Sequence, residues 1–123
     1  MEDVVRQRLG QNFLVDPGVC RRIVAACGAA PGDHVLEIGP GKGALTRFLA
    51  GAVAALTLVE LDRALAEGLR RRWGTSPGVH VVEADFLDWP LPDARENSVK
   101  VVSNLPYSAA NAILRKLKIS ALH

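Results

Sequence analysis

The stretch VLEIGPGKGALT, residues 35–46, decides the fold of this chain of 123 residues. It begins as an apolar strand pattern with one acid, Glu37, and then breaks into glycines at Gly39, Gly41 and Gly43. Because glycine has no Cβ, such a loop can turn sharply and lets a large ligand approach the main chain. A strand, a tight loop and a helix are predicted in that order. The glycines alone do not distinguish a ligand-binding loop from a flexible turn.

The composition is that of one globular domain. Hydrophobic residues make up 49% of the chain and charged residues 23%, which suits a packed core. The net charge of +2 permits an RNA partner without requiring one, because phosphate binding depends on a local patch. Apolar runs are too short for a membrane span and the chain opens without a secretion signal, so we expect a cytoplasmic protein without membrane contact. Cys20 and Cys27 are expected to face the core as reduced thiols.

Apolar runs alternate with helical patterns along the chain. The run from Ala54 to Val59 is nearly continuous, which is typical of a strand buried on both faces of a parallel sheet. Alternation of this kind favours right-handed crossovers with helices on both faces of the sheet. We therefore predict an α/β fold. Its strands are expected at 35–38, 54–59, 79–82 and 99–102, and its helices after Asp16, from Ala44, after Asp62 and after Ser108.

Polar residues follow each predicted strand where that strand ends. They are residues 39–43, which we call the glycine loop, and Glu60, Asp85 and Asn104–Tyr107. In a parallel sheet these ends meet at one edge, where ligands bind. Glu60 follows the loop by about 20 residues, the usual distance for a carboxylate that accepts both hydroxyls of a ribose. A nucleoside-containing ligand is therefore predicted.

The glycines leave two nucleoside cofactors open. Gly39, Gly41 and Ala44 also fit the G-x-G-x-x-A pattern of nicotinamide cofactor sites. Glu37 counts against a dinucleotide, since an acid there would repel pyrophosphate but can help to hold the cationic head group of S-adenosylmethionine. Asp85 can accept a hydrogen bond from an adenine amino group. A nicotinamide-dependent oxidoreductase remains the alternative, which binding of NADH against S-adenosylmethionine would separate.

The residues Asn104–Tyr107, NLPY, favour chemistry on an aromatic amine. Such an amine is a poor nucleophile because its lone pair is delocalised into the ring. The Asn104 side-chain oxygen and the Leu105 carbonyl can accept the amino hydrogens and turn the lone pair toward an electrophilic methyl group. Pro106 fixes the backbone, and Tyr107 offers a face on which an extruded base can stack. A simple turn with a half-buried aromatic is the alternative.

Five motifs together cover nearly the whole chain. They are GQNFLVD (10–16), VLEIGPGKGALT (35–46), VELD (59–62), EADFLDW (83–89) and NLPYS (104–108). In this order they resemble the ribosomal RNA adenine N6-dimethyltransferases, the family that joins small-subunit rRNA dimethylases to macrolide-resistance methylases. The resemblance implies a Rossmann-like methyltransferase sheet that uses S-adenosylmethionine. It also implies in-line methyl transfer to adenine N6 of ribosomal RNA, repeated to give dimethyladenosine, without a metal.

The resemblance also assigns residues. It implies cofactor contacts by Asn12, Leu14, Gly39, Gly41, Glu60, Asp85 and Asn104. As catalytic residues facing the target adenine it implies Asn104, Leu105, Pro106 and Tyr107. Two departures stand out, because Ser103 occupies a place where the family more often has glycine or alanine, and because family members run to about twice this length.

The length difference leads to an expectation about domains. Residues 1–123 are expected to be the N-terminal part of a methyltransferase domain that ends after the fourth strand. Further strands and a small helical RNA-binding domain would be absent. The full-length protein is expected to be a monomer. A catalytically incomplete cofactor- or RNA-binding remnant is a second alternative.

Overall fold

The computed structural model describes residues 16–90, residues 99–103 and Arg115, and the account that follows is of those residues. Their strands and helices alternate as the sequence predicts, and each strand lies where an apolar run predicts it. In chain order the elements are α1 (Pro17–Cys27), β1 (His34–Ile38), α2 (Thr46–Leu49), β2 (Ala55–Glu60), α3 (Arg63–Trp73), β3 (Val79–Glu83) and β4 (Val99–Ser103).

The described strands form one parallel sheet in the order β3-β2-β1-β4. The chain moves outward from β1 to β3 and then returns to pair β4 with the other side of β1. Ile38 is level with Val59 on one neighbour and with Ser103 on the other. The carboxyl ends of the strands therefore share one edge, and the strand order reverses between β1 and β4. This arrangement confirms the predicted parallel α/β fold and marks the usual place for a ligand in such sheets.

The larger core lies on one face of the sheet, under all three described helices. From the strands it takes Val35, Leu56, Leu58, Val79 and Val102, and from the helices Cys20, Leu49, Leu69 and Trp73. On the opposite face Leu36, Ile38 and Val59 pack with Phe86 from the segment after β3. The helix predicted after Ser108 lies outside the described residues. A helix on this second face therefore stays a prediction.

Side-chain caps start α1 and α3 where the sequence places them. Asp16 accepts hydrogen bonds from Gly18 N at 2.8 Å and Val19 N at 3.4 Å, with Pro17 in the first position of the helix. Asp62 accepts from Leu65 N at 3.0 Å. Such caps satisfy backbone donors that the first turn of a helix leaves without partners. Among the helices that the structure describes, none is long and apolar enough to cross a bilayer.

The helix after the glycine loop is shorter than the pattern indicates. The prediction that it begins at Ala44 is wrong, since α2 spans Thr46–Leu49 and the residues before it form turns. Gly43 has a φ of 87°, which a right-handed helix does not allow. This φ excludes Gly43 itself from the helix, and Gly51, with a φ of 83°, follows directly after the C-cap at Ala50.

A salt bridge lies at the amino edge of the sheet, opposite the edge where the carboxyl ends of the strands meet. Lys100 Nζ of β4 lies 2.8 Å from Asp33 Oδ2, in the turn before β1, and also donates to the Gly28 carbonyl at the end of α1. Asp33 Oδ2 accepts a further hydrogen bond from Ala30 N at 2.8 Å. The hydrogen bond from Lys100, followed by that from Ala30, lowers the pKa of Asp33. One lysine thus joins α1, the turn and β4.

Candidate functional site

The glycine loop leaves β1 in a conformation that glycine alone adopts readily. Gly39, Gly41 and Gly43 all have positive φ, at 69°, 59° and 87°. Gly39 N donates to Val59 O at 2.9 Å, which holds the start of the loop against β2. A Cβ built on Gly41 would meet nothing within 4 Å, so at this residue the loop borders open space. The loop therefore has the exposed main chain that a cofactor would need.

Gly43 has a different role. A Cβ built there would lie 2.3 Å from Cη2 of Trp73, the last residue of α3. Trp73 is buried in the main core. Gly43 is therefore required by packing as well as by its backbone conformation, because the indole ring occupies the space of the missing side chain.

The Glu60 carboxylate at the end of β2 holds the glycine loop from the neighbouring strand. Its Oε1 accepts a hydrogen bond from Gly41 N at 2.9 Å, and its Oε2 accepts one from Asp62 N at 2.9 Å. The residue is only 6% exposed. A carboxylate has about four acceptor positions, so both oxygens keep capacity for ribose hydroxyls while they orient the loop.

Glu37 of β1 lies beneath the loop, 1% exposed, and accepts a 2.6 Å hydrogen bond from Thr46 Oγ1 at the start of α2. Burial raises the pKa of Glu37 to about 7; the Thr46 hydrogen bond opposes this shift and the charge of Glu60 adds to it. The carboxyl group is therefore poised to titrate near neutral pH. A cation bound above it would favour the ionised form.

The edge formed by the carboxyl ends of the strands also includes the end of β3. Ala84 N donates to Glu60 O at 3.0 Å, which brings the chain past β2, and Asp85 follows. Asp85 is exposed, and its Oδ1 accepts from Leu87 N at 3.0 Å. Apolar groups flank these acids, since Leu61 is 67% exposed and the Phe86 and Trp89 rings lie 6.2 Å apart. Of these groups Leu61 offers exposed apolar surface beside the carboxylates, whereas Phe86 is 4% exposed and belongs to the second core.

The structure therefore brings together part of the predicted site. Gly39, Gly41 and Glu60 are joined by backbone and side-chain hydrogen bonds, and Asp85 follows the next strand. The predicted site residues outside the described part of the chain are Asn12, Leu14, Asn104, Leu105, Pro106 and Tyr107. Ser103 is described and pairs with Ile38, so β4 ends beside the start of the glycine loop.

The sequence did not single out Thr46 or Trp73. Thr46 supports Glu37 and Trp73 packs against Gly43, but no local pattern pairs either of them with its partner. Only the register of strands and helices brings them together. Within residues 16–90 and 99–103, no group of three His, Cys, Asp or Glu side chains could hold a metal ion.

The chain matches known proteins over nearly its whole length. Residues 2–120 match the family model described as ribosomal RNA adenine dimethylase. The ribosomal RNA small subunit methyltransferase A of Chlorobium phaeobacteroides is 46% identical over 117 residues, which are 94% of this chain and 44% of that protein. The chain thus spans less than half the length of this relative.

Solved structures show the same fold. The 23S rRNA methyltransferase ErmE superposes with a TM-score of 0.71 and 37% identity, covering 81% of this chain and 40% of that protein. A dimethyladenosine transferase from Plasmodium falciparum gives a TM-score of 0.71 and 26% identity, covering 83% of this chain and 36% of the other. These matches favour a methyltransferase over the nicotinamide-dependent alternative. The chain belongs to the ribosomal RNA adenine dimethylase family.

Proposed function

We propose that this chain provides the cofactor site of an S-adenosylmethionine-dependent enzyme that methylates adenine N6 in ribosomal RNA. The observation that carries the proposal is the hydrogen bond from Gly41 N to Glu60, which joins a glycine loop to a nearly buried carboxylate at the edge where the strand order reverses. Membership of the adenine dimethylase family supplies the reaction and the substrate class.

The described residues fit this cofactor. The open space beside Gly41 leaves room for a ligand against the main chain. Glu60 would accept the ribose hydroxyls, and Asp85 would accept the adenine amino group. Glu37 lies buried beneath the loop, where its negative charge would favour a cationic head group directly or through water. When bound, S-adenosylmethionine supplies an activated methyl group on its sulfonium.

The residues after β4 would present the target base. Because Ser103 pairs with Ile38, β4 ends beside the start of the glycine loop. By resemblance to the family, the Asn104 side-chain oxygen and the Leu105 carbonyl accept the hydrogens of adenine N6 and direct its lone pair in line with the methyl group. Pro106 fixes this backbone, and Tyr107 stacks on the extruded base. Catalysis is then mainly positioning, with removal of charge from the amine after attack.

The proposal extends to partner and location. The partner is ribosomal RNA, the substrate in the name of the family. We expect the full-length enzyme to act as a monomer in the cytoplasm without membrane contact. Dimethylation rather than monomethylation follows the name of the family.

Calorimetric titration tests the cofactor. S-adenosylmethionine should bind the chain, and NADH should not. Asp85→Ala should weaken binding by about tenfold, as expected for the loss of one hydrogen bond to a charged group. Binding of NADH alone would support an oxidoreductase, and an unchanged affinity of Asp85→Ala would remove that residue from the site.

Transfer of a radiolabelled methyl group to ribosomal RNA tests the reaction. Asn104→Ala should abolish transfer and largely preserve cofactor binding, because Asn104 acts on the acceptor amine. Full methylation by Asn104→Ala would contradict its role. A wild-type chain that binds the cofactor but transfers no methyl group to RNA would identify a cofactor-binding remnant.

A further inference from the structure

Acids are fewer in residues 16–59 than in residues 60–90, although both ranges carry four lysine or arginine residues. Residues 17–59 contain the cations Arg21, Arg22, Lys42 and Arg47, all exposed. The acids of this range are Asp33 and Glu37. Asp33 is paired with Lys100 at the amino edge of the sheet, and Glu37 is buried beneath the glycine loop. Among the described residues of α1, the loop and α2, exposed cations therefore outnumber accessible carboxylates, of which Asp16, the N-cap of α1, is exposed.

Two of these arginines meet on one aromatic ring. The guanidinium carbon of Arg21, on α1, lies 5.3 Å from the centroid of the Phe48 ring, and that of Arg47 lies 4.7 Å from it. Phe48 is half-buried and packs against the main core. We call Arg21, Arg47 and Phe48 the arginine–phenylalanine cluster. Among the described residues, no carboxylate forms a salt bridge with either arginine.

The α3 surface differs from this cluster. Arg63 lies 3.5 Å from Glu67, and Arg70 lies 3.7 Å from Glu83. The segment from β2 to the end of the β3 exit also carries Glu60, Asp62, Asp85 and Asp88. Two of the four arginines of α3 are thus paired with acids, whereas Arg72 lies over the Trp73 ring at 4.3 Å. Two like charges on one ring without an acid repel each other, and a bound anion would relieve that repulsion.

We propose that the arginine–phenylalanine cluster is a contact surface for the phosphate backbone of the RNA substrate. Guanidinium groups bind phosphate oxygens through two parallel hydrogen bonds, and stacking on an anchored ring limits the freedom they lose on binding. The Phe48 ring holds both guanidinium groups near one another, so they can contact phosphates of one strand.

The position of the cluster connects it to the candidate site. Arg47 follows Thr46, whose hydroxyl contacts Glu37 beneath the glycine loop, and Lys42 is exposed within that loop. An RNA backbone that crosses α1 and α2 thus passes next to the loop. The choice of RNA rests on the proposed function, since a basic surface by itself also suits an acidic membrane.

Fluorescence anisotropy with a labelled RNA hairpin that has an adenine-rich loop tests the proposal. Arg21→Gln/Arg47→Gln should weaken binding by about 5- to 20-fold and lower the slope of log affinity against log salt by about 1 to 2. The matched control is Arg63→Gln/Arg71→Gln, which removes two exposed charges from α3 and should change both quantities much less. Urea unfolding of both variants checks that the fold is intact.

A second variant separates charge from geometry. Arg21→Lys/Arg47→Lys should keep the salt slope and lose affinity, because lysine keeps the charge but cannot form the paired hydrogen bonds. Equal losses in the cluster variant and the α3 control, or unchanged RNA binding in the cluster variant, would overturn the proposal. Loss of binding to phosphatidylserine vesicles with unchanged RNA affinity would assign the surface to a membrane and would overturn it too.

Cofactor titration keeps this test distinct from that of the proposed function. Arg21→Gln/Arg47→Gln should bind S-adenosylmethionine as the wild type does, because both guanidinium groups lie on the Phe48 ring and the hydrogen bond from Arg47 N to Gly43 O in the glycine loop, at 3.2 Å, comes from the backbone. A wild-type chain that fails to bind the cofactor would contradict the proposed function. RNA binding by the cluster would still be decided by the anisotropy comparison.

Discussion

Glu60 Oε1 accepts a hydrogen bond from Gly41 N at 2.9 Å, so that a side chain of β2 fixes the loop that follows β1. Glu60→Gln should disturb this link, because an amide has one acceptor oxygen and cannot accept from both Gly41 N and Asp62 N. We expect a loss of about 1 to 3 kcal/mol in the free energy of unfolding and at least about tenfold weaker cofactor binding. Urea unfolding and calorimetry measure the two effects.

Glu83→Gln is the matched control for Glu60→Gln. Glu83 is level with Glu60 on the adjacent strand but is exposed and, among the residues that the structure describes, pairs with Arg70, at 3.7 Å. The free energy of unfolding should change by under about 0.5 kcal/mol in this variant, as is usual for an exposed ion pair. If the two variants behaved alike, the loop would not depend on the Glu60 carboxylate.

Glu37 should make stability depend on pH below neutrality. Its pKa is about 7 in the folded chain against 4.5 as the ordinary value, so the folded state holds a proton that the unfolded state releases between these values. The contribution of protonated Glu37 to the free energy of unfolding is fully present below about pH 4.5 and is lost as pH rises through 7. Above that pH the contribution no longer changes. The fall should be about 3 kcal/mol, and urea unfolding from pH 5 to 9 would measure it.

Two variants isolate the Glu37 contribution. Glu37→Gln has no titrating group and should remove this part of the pH dependence. Thr46→Val removes the donor that favours ionised Glu37, so the fall should extend to higher pH. A pH profile that is the same in wild type and Glu37→Gln would show that another group controls it.

Gly43→Ala should destabilise the chain more than a change at other glycines of positive φ. Its Cβ would meet the Trp73 ring at 2.3 Å, in addition to the strain of a φ of 87°. The expected loss in the free energy of unfolding is about 2 to 4 kcal/mol. Gly51→Ala, with a φ of 83° and nothing within 4 Å of the new Cβ, should lose only about 1 kcal/mol. Thermal or urea unfolding measures both losses in the free energy of unfolding. Equal losses in the two variants would show that the Trp73 ring moves to make room for the new Cβ.

Lys100→Met should loosen the amino edge of the sheet. It removes the 2.8 Å salt bridge to Asp33 and the hydrogen bond to the Gly28 carbonyl, so the urea midpoint should fall. The contribution of the salt bridge to stability is present above the ordinary Asp33 pKa of 3.8. It is lost as pH falls through the lowered pKa that Asp33 has in the folded chain. The difference from wild type should therefore shrink in acid. Asp33→Asn in both backgrounds gives the coupling between the two residues, which would be zero if they acted independently.

The elements could be predicted well because they depend on local patterns. Apolar runs give the parallel strands, of which β1 and β2 are buried, and Asp16 and Asp62 stand where caps belong. The common edge for Gly39, Glu60 and Asp85 follows from parallel topology alone. These predictions need only the spacing of residues along the chain.

The remaining features depend on three-dimensional packing. α2 begins at Thr46 and not at Ala44, because Ala44 and Leu45 belong to a turn after the glycine loop. That Glu60 bonds to the loop backbone, and that Trp73 fills the space beside Gly43, depends on how α3 and the loop curve over the sheet. Short patterns cannot encode contacts between such distant residues.

The central position of β1 has a consequence for folding. β1 pairs with β4, although β2, α3 and β3 lie between them in the chain. Closing so long a loop costs entropy before its contacts form, so pairing of β4 is expected to be slow relative to that of β2. The contact between the glycine loop and Glu60 needs only the pairing of β1 with β2, which is expected early. The edge beside Ser103 needs the pairing of β1 with β4, which is expected late. During refolding, the capacity to bind cofactor should therefore appear before the capacity to methylate.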